Sequence, residues 1–193
     1  MKEINSFKDI TVKQFIELQG ITGETMEDQK KIIEIIFNVN VDTLSIDKFF
    51  ELASRVPDIF SSMNKRVLKN IKIGDTTLTI TEITNFSTKQ FVDFDTLAKD
   101  GKENLLTLLA LIYSNDEFDK MDYFQAIETK RELLKEIPAE EALGALDFFI
   151  EKLLTYVKNT VDSSPVATMM MTKPEVKAQM DLLDKYLSTS AGN

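Results

Sequence analysis

A nine-residue segment, ITVKQFIEL at Ile10–Leu18, returns without a gap as FSTKQFVDF at Phe86–Phe94, so that Thr11 aligns with Ser87, and this recurrence constrains the fold more than any other feature of the chain. The same offset lays Ile32, Ile33, Ile35, Ile36 and Phe37 on Leu108, Leu109, Leu111, Ile112 and Tyr113, so the following apolar run coincides as well. Between Ile10 and Phe37 the identities are Lys13, Gln14, Phe15, Glu27 and Ile36, which makes the repeat one of pattern more than of identity.

Each copy opens on the chemistry of a helix start. Thr11 with Gln14, and Ser87 with Gln90, are spaced as capping boxes, in which the hydroxyl accepts from the third helical amide and the glutamine returns to the amide of the cap. Ile10 with Phe15, and Phe86 with Phe91, are spaced as hydrophobic staples over that turn. The KQF motif therefore marks a helix start and not a catalytic signature.

A second helix in each copy is announced by Thr25 with Asp28 and by Asp100 with Glu103; its aliphatic run is apolar almost all round, as for a helix at the centre of a bundle. A third helix follows Ser45, with Ile46, Phe49, Phe50 and Ala53 at amphipathic spacing and Pro57 at its end or a break. Its expected counterpart begins at Pro138, with Glu140 and Glu141 in the first turn and Ala142, Leu146, Phe149, Leu153 and Val157 on one stripe; FFE at Phe49–Glu51 parallels FFIE at Phe148–Glu151.

Between the copies, NIKIGDTTLTI reads as a hairpin about Gly74 and Asp75, with Ile71 opposite Leu78 and Lys72 opposite Thr77. A lone hairpin is marginal, so it is expected to pack on helices or to receive a strand from near Ile4 or from a partner chain. The second copy also carries an insertion, 114–136, in which Tyr123, Phe124 and Ile127 begin a helix ending near Lys135. Asp116, Glu117, Asp119 and Asp122 lack the regular ligand alternation and turn glycine of a calcium loop. The stretch from Asp162 to Thr172, with a proline, small residues and three methionines in no useful period, then reads as a linker. Thr172 with Glu175 caps a last helix whose apolar stripe is Val176, Met180, Leu183 and Leu187.

The expected fold is mainly α: a helical bundle with a candidate internal duplication and a small β-hairpin between the halves. Its parts are an N-terminal helical half (1–69), the hairpin (70–84), a second half (85–161) with the 114–136 insertion, a linker (162–172) and a C-terminal helical arm (173–193). The arm either packs on its own bundle or is delivered to another subunit.

Composition narrows the function. The 193 residues include no cysteine and no histidine, which removes the thiol nucleophile, the disulfide and the commonest metal ligand and general base. No spacing motif raises the remaining carboxylates, lysines, tyrosines or hydroxyls to catalytic candidates, so the expectation is a non-enzymatic protein with no cofactor and no metal. A formal net charge of −9 opposes direct nucleic-acid binding. In the one basic stretch, KRVLKNIK at Lys65–Lys72, the bases alternate with core-type residues, as where a helix end enters a strand. The start, MKEINSFKDITV, has no secretion-signal pattern, and no apolar run is long enough to span a bilayer, so synthesis in the cytoplasm and no membrane partner are expected.

The order of KQF helix start, aliphatic helix, KIGD hairpin, KQFVDF and EEALGALDFFIEKLLTY, over Thr11–Thr160, resembles small proteins from the structural modules of tailed phages, especially crAss-like phages. Such proteins are similar to tail assembly chaperones or to components packaged in the virion. The resemblance implies no enzymatic activity and carries over no catalytic residue. It implies other phage structural proteins as partners, a homo-oligomer as a further option, and the host cytoplasm during assembly, or the virion, as the location. The residues expected to meet a partner are Val176, Met180, Leu183 and Leu187 on the arm, Gly74 at the hairpin, and Tyr123 and Phe124 in the insertion. The competing reading is an acidic host-directed regulator that mimics nucleic acid, which requires acids gathered on one face. An enzyme working through carboxylates is a third, and requires a polar cleft with perturbed acids.

Overall fold

The computed structural model describes residues 3–99 and 104–162. Among them the chain is mainly helical, with seven α-helices and a three-stranded antiparallel sheet. It divides into two units, Met1–Leu146 and Asp147–Asn193. The expected Asp100–Glu103 cap, most of the linker and the whole arm, with Val176, Met180, Leu183 and Leu187, lie outside the described residues.

The first unit begins with a short 3-10 turn, Phe7–Asp9, then α1 (Val12–Leu18), α2 (Met26–Phe37), a 3-10 turn at Val41–Thr43 and α3 (Ile46–Ser61). The caps are those the sequence specifies. Thr11 Oγ1 accepts from Gln14 N at 3.2 Å while Thr11 N donates to Gln14 Oε1 at 3.0 Å, and Thr25 accepts from Asp28 N at 3.0 Å. α2 stops at Asn38, whose φ of 51° takes the left-handed conformation that closes helices. Phe7, Ile10, Ile33, Ile36, Phe37, Phe49, Leu52 and Ile59 form the core of this half. Each such side chain, fully buried, contributes about 1.5–3 kcal/mol relative to exposure.

Pro57 does not end α3. The helix runs through it to Ser61, because Ile59 beyond it is buried in the core. The buried stripe of α3 is Phe49, Leu52 and Ile59, while Ile46 and Phe50 are exposed, contrary to their expected place on the apolar face. In α2 the run Ile32–Phe37 has no exposed residue, with Ile33, Ile36 and Phe37 buried, while Met26, Glu27, Gln29 and Lys31 before it are exposed.

After α3 come β1 (Asn70–Ile73) and β2 (Thr76–Ile80), paired Ile71 to Leu78 and Lys72 to Thr77 as the turn at Gly74 dictates. Gly74 has a φ of +60°, which its lack of a Cβ permits. The third strand comes from within the chain, and not from near Ile4. It is β3 (Tyr113–Ser114), which pairs with β2 through Thr79–Ser114 and Ile80–Tyr113. Tyr113 is fully buried and its hydroxyl donates to the Leu68 carbonyl at 2.8 Å, tying β3 to the entrance of β1.

The second half repeats the order of the first. A 3-10 turn at Ile83–Asn85 precedes α4 (Thr88–Lys99), and α5 (Leu105–Ile112) follows; the turn and the start of α4 stand as far after their counterparts as Ser87 stands after Thr11. Ser87 N donates to Gln90 Oε1 at 2.9 Å and Gln90 N to Ser87 Oγ at 3.2 Å, reproducing the first capping box. Next come a 3-10 turn at Phe118–Lys120 and α6 (Tyr123–Leu134), each a single position beyond where that same offset would put the turn at Val41 and α3. The place of α3 in this order therefore belongs to α6, inside the expected insertion, and not to the helix after Pro138. FFE at Phe49–Glu51 and FFIE at Phe148–Glu151 thus lie on helices at different places in this order.

α7 (Ala139–Asp162) starts in the first unit, where Ala139, Ala142, Ala145 and Leu146 are buried, and continues into the second, where Phe149 and Ile150 are buried. The segment leading into α7 closes the start of α1: Val12 N donates to Ile137 O and Lys13 N to Lys135 O, both at 2.9 Å, and Ala139 N donates to Ile10 O at 2.8 Å. Two amides that every helix start leaves open are thereby satisfied by backbone from far along the chain.

Candidate functional site

Tyr123 and Phe124 sit on the first turn of α6, fixed there by Asp122, whose side chain accepts from Phe124 N at 3.0 Å and Gln125 N at 3.2 Å. The capped turn presents the two rings edge to face at 5.5 Å, with Tyr123 turned toward α4 and Phe124 left 68 % exposed. On α4, Lys89, Val92 and Asp93 share one side of the helix by their spacing. The Tyr123 hydroxyl donates to Asp93 Oδ2 at 2.6 Å, and Lys89 Nζ donates to the same oxygen at 3.2 Å. The Lys89 ammonium also lies 4.0 Å from the Tyr123 ring centre and 4.8 Å from that of Phe124.

Within this cluster Asp93 and Tyr123 shift one another. The Tyr123 bond, helped by Lys89, holds the Asp93 carboxyl below the usual range, while burial first and Asp93 second push the Tyr123 phenol well above its own. The tyrosine is thus held protonated and the lysine is engaged by a carboxylate and two rings. Such a cluster is suited to anchoring a surface. Around it Phe91, Val92 (53 % exposed), Met121 and Phe124 give α4 and the start of α6 an apolar and aromatic exterior.

Around the second helix start the two rings expected to form a staple, Phe86 and Phe91, differ in setting. Phe86 stacks edge to face on Phe94 at 6.1 Å, and Phe91 is exposed. In the first half the matching ring, Phe15, is partly buried against the core and lies edge to face with Phe7 at 6.0 Å.

Two further features belong to the first unit. A cleft of about 470 Å³ between α1 and the end of α2 is lined by Asp9, Glu17, Glu34 and Glu136 with Lys13, so its rim is acidic. Lys130 on α6 is buried, 4 % exposed, and its Nζ donates to the Tyr113 carbonyl at 2.8 Å, about 6.0 Å from the Phe118 ring. Burial pushes its amine down to about 8, a shift that the nearby Asp119 opposes. Among the described residues, no group of three or more acids is arranged to hold a metal ion, and no helix is long and apolar enough to cross a membrane.

Of the expected partner-binding residues, the structure places Tyr123 and Phe124 together with α4 and leaves Gly74 apart at the hairpin turn, with no hydrogen bond or ring contact joining them among the described residues. Sequence reasoning missed Lys89, Val92 and Asp93. The signal that could have found them was Val92 itself, an aliphatic residue on the side of α4 opposite Phe94. Comparison with family models, with curated proteins and with solved structures finds no match for this chain.

Proposed function

We propose that this chain is a non-enzymatic protein–protein interaction protein of a tailed phage, acting in virion or tail assembly or carried in the virion as a structural or cargo component. The observation that carries the reading is the exterior of α4 and α6: on a chain of net charge −9, Val92, Met121 and Phe124 stay exposed around the Lys89–Asp93–Tyr123 anchor. An acidic, self-repelling surface that holds an apolar and aromatic area around such an anchor suits selective docking on another protein. The phage setting rests on the sequence resemblance over Thr11–Thr160.

Mass spectrometry of purified particles of the encoding phage, with copy number measured against the major capsid protein, tests the setting. Presence at a reproducible ratio supports a virion component. Absence, with abundant protein in infected cells and capture of a tail protein that Phe124→Ser abolishes, supports an assembly chaperone. Absence together with capture of host proteins alone sinks both.

A second reading, the acidic host-directed regulator, is favoured by the cleft rim of Asp9, Glu17, Glu34 and Glu136. It predicts competition with nucleic acid for a basic host protein. That competition is lost in a Glu17→Gln, Glu34→Gln double variant.

A further inference from the structure

The two halves present the same helix start in different states. In the first, the α1 face with Val12 and Phe15 is closed: Val12 is 0 % exposed, and Ile137 and Ala139 of the Lys135–Ala139 segment are buried with it. In the second, the equivalent positions are Thr88 and Phe91; Phe91 and its neighbour Val92 are exposed, and among the described residues no backbone carbonyl stands against the amides of Thr88 and Lys89. The closing segment leads through Pro138 into a helix, and it trails the second half while sitting on the first. It thus acts on a half other than the one it follows, which is the pattern that builds oligomers when continued between molecules.

Of the chain's four prolines, Pro57 is inside α3 and Pro138 is in use. Pro165 and Pro174 fall in the stretch that follows α7, 163–193. Pro174 stands in a setting like that of Pro138: alanine follows four residues later in both (Ala142, Ala178) and leucine eight residues later (Leu146, Leu182), and the capping pair Thr172 and Glu175 announces a helix. We propose that the α4 face around Thr88, Phe91 and Val92 is a docking site for the Pro174-led C-terminal segment of a second copy of this chain, giving a dimer by exchange of tails. The apolar stripe Val176, Met180, Leu183 and Leu187 then has Phe91 and Val92 to cover. The proposal concerns self-association and stands whether or not the protein is carried in a virion.

The test uses two full-length variants, Val92→Glu on the docking face and the pair Val176→Asp, Leu183→Asp on the tail. Sedimentation velocity from low to high micromolar concentration should show the parent protein passing from monomer to dimer, and each variant alone remaining monomeric with an unchanged thermal midpoint. Mixing the variants restores one intact pairing, so a 1:1 heterodimer should form. Amide exchange at Thr88 and Lys89 should slow with concentration in the parent alone. A parent protein that stays monomeric throughout, including one whose Thr88 and Lys89 amides are already protected as a monomer, overturns the proposal. So does dimerisation that survives in both variants.

Discussion

Gly144 on α7 faces the backbone of Arg66: a Cβ built at Gly144 would lie 2.6 Å from the Arg66 carbonyl carbon and 2.9 Å from its nitrogen, and closer still to its oxygen. The chain leaving α3 thus passes over the start of α7 at the one position without a side chain. In an open helix, Gly144→Ala would gain about 1 kcal/mol in propensity. Here the backbone has to move, and the expected net effect is a loss of about 1–3 kcal/mol, read from the urea midpoint. A gain in stability would show that the Arg66 segment yields freely.

Lys130 makes stability depend on alkaline pH. Its amine falls from an ordinary 10.5 to about 8 in the folded protein, so between those values the unfolded chain holds more protons and stability rises with pH. The two raised phenols, Tyr113 and Tyr123, act the other way only above their unfolded value near 10, leaving about pH 8–10 as the window that belongs to Lys130. The gain expected across the full shift is on the order of 3 kcal/mol. Lys130→Met should flatten the profile between about pH 7 and 10 in denaturant titrations. A parent protein with no slope there would mean that the ammonium reaches water.

Tyr123→Phe removes the donor that holds the Asp93 carboxyl low. The carboxyl should then titrate closer to the ordinary carboxylate range, measured by NMR of the side-chain carbonyl. Asp93→Asn should bring the Tyr123 phenol only part of the way back, since burial is the larger cause of its shift. Because Asp93 is lowered on folding, its stabilising effect is present above its unfolded value and is lost as pH falls. An unmoved Asp93 in the Tyr123→Phe variant would count against the bond.

The two repeat glutamines should differ in weight. Gln14 closes its capping box and its Nε2 also donates to Ile35 O at 2.8 Å and Ile36 O at 3.1 Å. Gln90 repeats the arrangement in the second copy, toward Leu111 O, but at 3.5 Å. Gln14→Ala is expected to cost about 1–2 kcal/mol and Gln90→Ala about half of that, from parallel urea unfolding. Equal losses would indicate that both bonds are equally formed in solution.

The features legible in the amino acids alone were local. Thr11, Thr25, Ser45 and Ser87 cap helices where their spacing says, and Gly74 with Asp75 sets the register of Ile71 on Leu78, because each of these signals acts through atoms a few residues apart. Packing between distant segments settled the rest. It drew the third strand from Tyr113, carried α3 through Pro57 to bury Ile59, assigned the place of α3 in the second half to α6, and buried Lys130 beneath the Tyr113 carbonyl. It also closed one KQF helix with Lys135–Ala139 and left Phe91 and Val92 of the other in solvent. Nearly the same residues start both helices. Burial is set by what the rest of the chain brings against a surface, and no local pattern encodes that.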